Sequence, residues 1–458
     1  MTAIEKPLNL LYVFADQMHA FAMGCMGTSD IHTPNFDRLA SQGTLFTNAY
    51  SACPICSPFR VALFSGLYAS QNRHTRGLLN RAWIPEGVAT LPEALNAGGY
   101  QTSYVGKWHI GDFGHGPIPE ELRAGFTDFI GYQCYNDFID EVVFCDEDDK
   151  KHRYEGHRTD ITTDIAIERL GRIADGPFSM FVSYQNPHYP IQPSPEYDEM
   201  YRGVEIQRRP NSRDVDPFTA TGSPPSPRPL ELDPQNQRYG GNLGEYLRLY
   251  YAMVTQLDAN VGRLLDTLDE LGLADSTAVI FTSDHGDMQG SQGLRNKCLP
   301  YEESAGIPLI VRVPGGHEGL TSGVTVDSVD FYSTILELAG LPKDDAKEGV
   351  SFVPVLFGDS RESDSPAFSE MGSWCMIRDG VFKLVCDRVD DGSGLTPSHL
   401  FDLETDPYEM NDRVDDPVME GARIELLGKL TAWNEHVGGN CTETPPQEYI
   451  YRNSDSMS

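Results

Sequence analysis

Where the short apolar runs of this chain stop constrains its fold more than any other feature. Leu10–Ala15 stops at Asp16-Gln17, and Thr102–Val105 stops at Gly106-Lys107-Trp108-His109. Phe178–Tyr184 stops just before Asn186-Pro187-His188, and Ala278–Thr282 just before Asp284-His285-Gly286. A fifth run, Ile307–Val313, stops at Pro314-Gly315-Gly316. Runs that are apolar throughout, with helical stretches between them, read as strands of a mostly parallel sheet covered on both faces. In such sheets ligands bind beyond the carboxyl ends of the strands. Four of the five runs deliver metal-ligating or acid–base residue types to that place, and this convergence points to an enzyme.

Helices are expected between the runs. From Met253, the apolar positions Leu257, Val261, Leu264, Leu265 and Leu268 recur mostly three and four apart, marking one buried stripe. Ser333–Ala339 predicts another helix, ended by Gly340. Pro193–Gly241 holds many Pro, Arg, Asp and Ser residues with little periodicity, and reads as a long surface excursion near the mouth of the site. Composition shifts at Gly358–Ser365, which divides a large α/β domain over residues 1–360 from a smaller subdomain over 361–458. There, Cys375–Arg378 and Val381–Cys386 flank Asp379-Gly380, a type I′ hairpin signal, and His399–Leu403 adds a strand. Asp416-Pro417 is a helix start, continued by Ile424, Leu427, Leu430 and Trp433, before a polar tail over Gly438–Ser458. The fold class expected is α/β: a large mixed, mostly parallel sheet between helices, with a C-terminal antiparallel sheet and helix.

The net charge of −33 argues against a nucleic-acid partner, because a phosphate backbone would be repelled. It also means that any site for an anion must be a local positive pocket. The nine cysteines are odd in number and scattered, which argues against a disulfide framework. Cys53 and Cys56 form a C-x-x-C without the second ligand pair that a zinc site needs. The first apolar run is too short for a signal h-region or a membrane span, and no membrane-length run follows, so a cytoplasmic protein with no membrane partner is expected.

Cys56-Ser57-Pro58-Phe59-Arg60, closed by Gly66, carries the most information. Ser57 suits an N-cap, Pro58 a first helical position and Gly66 a C-terminal stop. Cys56 then stands at a helix N-terminus, where free N–H groups and the dipole favour anions, and Arg60 stands one turn in. C-x-P-x-R with a glycine six residues after the arginine resembles the signature of the type I, formylglycine-dependent sulfatases of the alkaline-phosphatase-like superfamily. Further landmarks occur in family order: Thr33-Pro34-Asn35 with Asp37-Arg38-Leu39, Gly106-Lys107-Trp108-His109, Asn186-Pro187-His188, Thr282-Ser283-Asp284-His285-Gly286, Pro300-Tyr301-Glu302-Glu303 and Leu403-Glu404-Thr405-Asp406-Pro407. The resemblance runs from Leu10 to the terminal helix.

This resemblance implies a sulfatase acting on carbohydrate, aryl or alkyl sulfate esters. It implies that Cys56 is oxidised to formylglycine by a formylglycine-generating enzyme and hydrated to a geminal diol. One hydroxyl attacks sulfur and displaces the alcohol; the other then loses its proton and sulfate is expelled. Asp16, Gln17, Asp284 and His285 match the family's metal ligands. The oxygen donors and the family favour Ca²⁺, while the His285 nitrogen keeps Mn²⁺ open beside Mg²⁺. Arg60, Lys107 and Lys297 match the positive residues around the sulfate. His109 matches the histidine that takes the diol proton, and His188 the proton donor to the leaving oxygen. Asn72, His74, Arg76, Arg153, His157, Trp374 and Arg378 are weaker candidates for the substrate pocket, each equally consistent with an ordinary surface role.

Two other readings compete. A phosphonate monoester hydrolase or phosphodiesterase of the same superfamily also fits an Asp-Gln/Asp-His metal set, but the pair Lys107 and His109 favours a sulfatase. A non-catalytic anion-binding protein with unmodified Cys56 would not need both histidines. The residues leave the natural substrate and the oligomeric state open.

Overall fold

The protein is described here by a computed structural model over residues 6–72, 82–111, 116–134, 138–139, 142–213, 242–359, 365–389 and 394–438. The large sheet comprises β1 (Asn9–Asp16), β2 (Thr44–Tyr50), β3 (Gln101–Lys107), β4 (Asp128–Tyr132), β5 (Val142–Asp146), β6 (Lys151–Tyr154), β7 (Phe178–Pro187), β8 (Thr277–Ser283), β9 (Leu309–Arg312) and β10 (Leu320–Asp327). Their order across the sheet is β10-β2-β9-β8-β1-β7-β3-β4-β5-β6.

The central strands β8, β1, β7, β3 and β4 are mutually parallel. These include the four runs that end in chemistry-bearing residues, so those ends lie on one edge. The fifth run, β9, is antiparallel to both its neighbours β8 and β2, which explains why it delivers nothing there. Along β1 the side chains alternate between two cores. Leu11, Val13 and Ala15 pack with the long helix Leu243–Glu270, whereas Leu10, Tyr12 and Phe14 pack with helix Asp330–Leu338. A strand with apolar layers on both faces must be apolar at every position, which is the pattern the sequence carries.

The helix expected from Met253 begins earlier, at Leu243, capped by the Asn242 side chain. That expected at Ser333–Ala339 spans Asp330–Leu338 and stops before Gly340, at φ 67°. Within Pro193–Gly241 there is a short helix, Pro195–Met200; residues 214–241 lie outside the described part.

The second sheet is antiparallel: β11 (Ala367–Met371), β12 (Trp374–Asp379), β13 (Phe382–Arg388) and β14 (Leu395–Asp402). Its hairpin differs from the expected one by a residue. Asp379 pairs with Phe382, so Gly380 and Val381 form the turn, and Gly380 alone has positive φ, at 56°, the type II′ signature rather than I′. Asp416 accepts from Val418 N, and Pro417 opens a short 3₁₀ turn that leads into helix Glu420–His436. Leu426, Leu430 and Trp433 face the sheet, whereas Ile424, expected on that stripe, is 61% exposed because it lies off the packed face.

Candidate active site

The short helices before and after β2 are α1 (Pro34–Ser41) and α2 (Cys56–Ser65). Helix α2 starts two residues earlier than its sequence implies. Ile55 is the N-cap residue and Cys56 the first helical residue; Ser57 does not cap but exchanges hydrogen bonds with the backbone of Ala82. Gly66 ends the helix at φ 67°, as expected. All ten residues of α2 are buried, so Cys56 is held at a fixed helix start beneath the edge of the sheet.

Around the Cys56 sulfur stand Lys297 Nζ at 3.0 Å, His285 Nε2 at 3.2 Å, Asp16 Oδ1 at 3.4 Å and Lys107 Nζ at 3.9 Å. Each comes from a different place in the chain: Asp16 ends β1, Lys107 ends β3, and His285 follows β8. Gly106 permits this convergence. It has φ 114°, and a Cβ there would lie 2.0 Å from the Ser183 carbonyl oxygen, so only glycine lets β3 approach β7 so closely. Gln17 and His109 also have positive φ, 67° and 51°. Non-glycine residues held this way cost roughly 1–3 kcal/mol and cluster at functional sites.

Arg60 is fully buried and ties the site together. Its NH2 lies 3.1 Å from both Asp16 Oδ2 and Asp284 Oδ2. Its NH1 donates to the Lys107 carbonyl at 2.6 Å and to Ser183 Oγ at 2.7 Å. Lys107 Nζ donates to Asp16 Oδ2 at 2.6 Å, and Lys297 Nζ to Gln17 Oε1 at 3.0 Å. His285 places Nδ1 2.9 Å from the Gly286 carbonyl, which can only accept, so the ring proton belongs on Nδ1 and Nε2 faces the site as an acceptor. His188 is oriented the same way, with Nδ1 2.6 Å from the Tyr189 carbonyl and Nε2 4.0 Å from Asp16.

The electrostatics follow from burial and these contacts. Burial alone would raise the Cys56 thiol, but Lys107, Lys297, His285 and a hydrogen bond with His109 hold it well below its ordinary value. Burial and the Cys56 charge would raise Asp16, yet Lys107, His188 and Lys297 keep it below the ordinary carboxylate range. Asp284 is pushed up to about 7 by burial and by Asp16. Burial and Lys107 lower His109 to about 4; burial and Lys297 lower His188 to about 4. Burial would lower His285, but Asp284 raises it. The pocket thus collects cations with two neutral imidazoles, His109 and His188, an arrangement suited to an anion inside a strongly acidic protein.

The donor set fits a divalent cation. Asp16, Cys56, Asp284 and His285 each offer an atom within 4.8 Å of the others, all buried. The Gln17 amide oxygen accepts from Lys297 Nζ at 3.0 Å, and that nitrogen also lies 3.0 Å from Cys56 Sγ. Burial first, and then the Asp16 charge, raise Asp284, and a cation between the two carboxylates relieves their repulsion.

The structure therefore gathers Cys56, Arg60, Lys107, His109, His188 and Lys297 with Asp16, Gln17, Asp284 and His285. Several weaker candidates have structural partners instead. Asn72 donates to Ser65 Oγ and the Leu67 carbonyl, and His157 caps the helix Arg158–Ile173. Trp374 Nε1 donates to the Cys298 carbonyl, and Arg378 donates to Tyr50 OH and the Gly380 carbonyl. Arg153 is exposed on β6, and His74 and Arg76 lie outside the described residues. Three contributors were not singled out from the sequence. Ser183 was visible as a polar residue within an apolar run. Tyr189 follows His188 directly, and its ring packs on that imidazole with centroids 4.1 Å apart. Asp287 follows Asp284 by three residues, in the loop after β8.

The sulfatase family profile matches residues 8–341, most of the chain and all of the site. The chain belongs to the sulfatase family. Sulfatases hydrolyse sulfate esters and depend on a metal, and the fold is theirs. A second profile, the C-terminal region of N-sulphoglucosamine sulphohydrolase, matches residues 290–436. An ulvan-active sulfatase of Formosa agariphila is 29% identical over 447 residues, covering 93% of this chain and 80% of that one. Human N-acetylgalactosamine-6-sulfatase is 30% identical over 400 residues, covering 81% of this chain and 70% of its own. Among solved structures, a protein bound to its substrate D-glucosamine-2-N,6-O-disulfate superposes with a TM-score of 0.81 at 25% identity, over 96% of this sulfatase and 100% of that chain. The phosphonate monoester hydrolase of Agrobacterium radiobacter shares the fold, with a TM-score of 0.73 at 23% identity, over 94% and 96% of the two chains.

Proposed function

We propose that this sulfatase removes sulfate from a sulfated saccharide, with Cys56 in the formylglycine form and a divalent cation, Ca²⁺ first, held by Asp16, Gln17, Asp284 and His285. The observation that carries the proposal is the position of Cys56 Sγ, within 3.4 Å of Asp16, His285 and Lys297 together. When present, the aldehyde hydrate supplies the attacking oxygen and the cation lowers that oxygen's pKa. Lys107 and Lys297 oppose the charge on the non-bridging sulfate oxygens. Arg60 keeps the two carboxylates in place. His109, neutral because its pKa is low, can take a proton from the nucleophile. His188, with Nδ1 held by the Tyr189 carbonyl, donates to the leaving oxygen once Nε2 has taken up a proton. A saccharide is favoured over a simple aryl sulfate because relatives on sulfated sugars, one with a sugar disulfate bound, match nearly the whole chain. The four metal positions 16, 17, 284 and 285 also keep phosphonate monoesters as a second reading, since the fold is shared with such a hydrolase.

The test is the mass of the Cys56 peptide from protein made with a formylglycine-generating enzyme. Conversion removes about 18 Da, whereas ordinary cysteine oxidation adds mass. Retained thiol, with a control sulfatase converted beside it, would remove the nucleophile. Faster cleavage of an aryl phosphonate ester than of sulfated sugars and aryl sulfates would install the second reading.

A further inference from the structure

The second metal position is a neutral amide, Gln17, and an amide presents two unlike ends. Only its oxygen can ligate a cation, so something must decide which end faces the site. The residue that does so is Asp287. It is fully buried, and its carboxylate accepts four hydrogen bonds. Oδ2 accepts from Gln17 Nε2 and from Tyr246 OH, each at 2.7 Å. Oδ1 accepts from the backbone N–H of Gln289 at 3.1 Å and of Asn296 at 3.0 Å. Four donors and no acceptor use the full capacity of a carboxylate.

We infer that Asp287 is a positioning residue that locks the Gln17 amide with its oxygen toward the metal and places one negative charge a hydrogen bond behind that neutral ligand. The inference rests on the metal reading above. With its nitrogen held by Asp287, Gln17 has only Oε1 left for the site, where it meets Lys297 Nζ at 3.0 Å. The same carboxylate grips Asn296 N, next to Lys297, and so also sets the turn that brings Lys297 to Cys56.

Replacing the carboxylate by an amide makes the logic testable. In D287N the backbone donors of Gln289 and Asn296 hold the new amide oxygen, which turns its nitrogen toward Gln17. Gln17 must then flip and show its own nitrogen to the metal. In the double variant Q17E/D287N, the new glutamate accepts from the new asparagine, keeps an oxygen on the metal and restores the same total charge. Q17E alone sets two carboxylates against each other. The experiment is calorimetric titration of chelator-stripped, full-length protein with Ca²⁺ alone, and then with Mn²⁺ alone.

D287N is expected to bind at least about tenfold more weakly than wild type, the range found for hydrogen-bond partners of metal ligands. Q17E/D287N should return to within about threefold of wild type, a recovery that a merely structural role for Asp287 would not produce. If D287N does not fold, the double variant against wild type carries the test, with affinity within about threefold expected. Equal affinity of D287N and wild type, no gain in the double variant over D287N, or a folded double variant that binds at least about tenfold more weakly than wild type overturns the inference and leaves the metal site standing. No binding of either ion by wild type removes the metal reading itself, and this inference with it.

Discussion

At the scale of single residues, Arg60 shows why charge alone does not specify this site. Its planar fork reaches Asp16, Asp284, the Lys107 carbonyl and Ser183 at once. A lysine keeps the charge and loses the fork. Arg60→Lys is therefore expected to lower kcat/KM on an aryl sulfate by about 10²-fold, the scale of removing one preorganised donor. Steady-state kinetics retaining the full rate would show that charge suffices. Asp284 gives a pH dependence with a definite sign. Its pKa rises from 3.8 to about 7 in the metal-free protein, so it takes up a proton below that pH and stops being a ligand. Metal affinity should fall as pH drops from about 8 to 6, because ligands must be deprotonated to bind. The same raised carboxyl makes metal-free stability fall as pH climbs between 3.8 and about 7. Thermal midpoints with and without chelator should thus separate more at about pH 8 than at pH 6.

At the scale of elements, the landmark Thr33-Pro34-Asn35 acquires a physical meaning. Asp258, on helix Leu243–Glu270, accepts from Asn35 N, Asn35 Nδ2 and Phe36 N, and so satisfies the free donors at the start of α1. Gly262, one turn on, leaves room for this contact, since a Cβ there would stand 2.4 Å from Asn35 Oδ1. Alanine normally improves a helix interior by about 1 kcal/mol over glycine. Gly262→Ala is expected to do the opposite and destabilise by about 1–3 kcal/mol, the range for overpacking. Denaturant unfolding checks this; a stabilised variant would mean that Asn35 moves aside freely. The element order was legible because period and run length read out directly. Boundaries were less so: Ser57 looks like a cap, but the helix starts at Cys56 because Ser57 is engaged by Ala82. Likewise Gly380 moved the hairpin turn by one residue, since only one positive φ was needed.

At the scale of the whole molecule, the two sheets meet through a buried ionic cluster. Lys383, on β13, donates to Glu302 Oε1 and to the Pro300 carbonyl, both at 2.8 Å, and pairs with Glu409. Glu302 also accepts from Tyr50 OH on β2. The landmark Pro300-Tyr301-Glu302-Glu303 is thus part of the seam as well as a neighbour of the site. Lys383→Met leaves Glu302 and Glu409 without their buried partner and is expected to destabilise by about 3–5 kcal/mol. Chemical denaturation with separate probes on the two sheets checks this, and an unchanged midpoint would remove the seam's ionic role. A division of the chain near residue 360 remains our proposal; limited proteolysis there would test it.

The sequence by itself determined the strands, the edge where they end, and the residue types that gather there. An apolar run and the polar cluster closing it are local facts, and parallel packing sends such ends to one side. The tertiary structure alone decided how those residues face one another. That Arg60 bridges Asp16 and Asp284, that Arg378 is engaged in the seam, and that Asp287 stands behind Gln17 are contacts between distant segments. Their geometry depends on strand register, on the close approach at Gly106 and on the positive φ of Gln17 and His109. No local pattern encodes such distances, because hydrogen bonds between segments more than 200 residues apart form only when the core has set both ends.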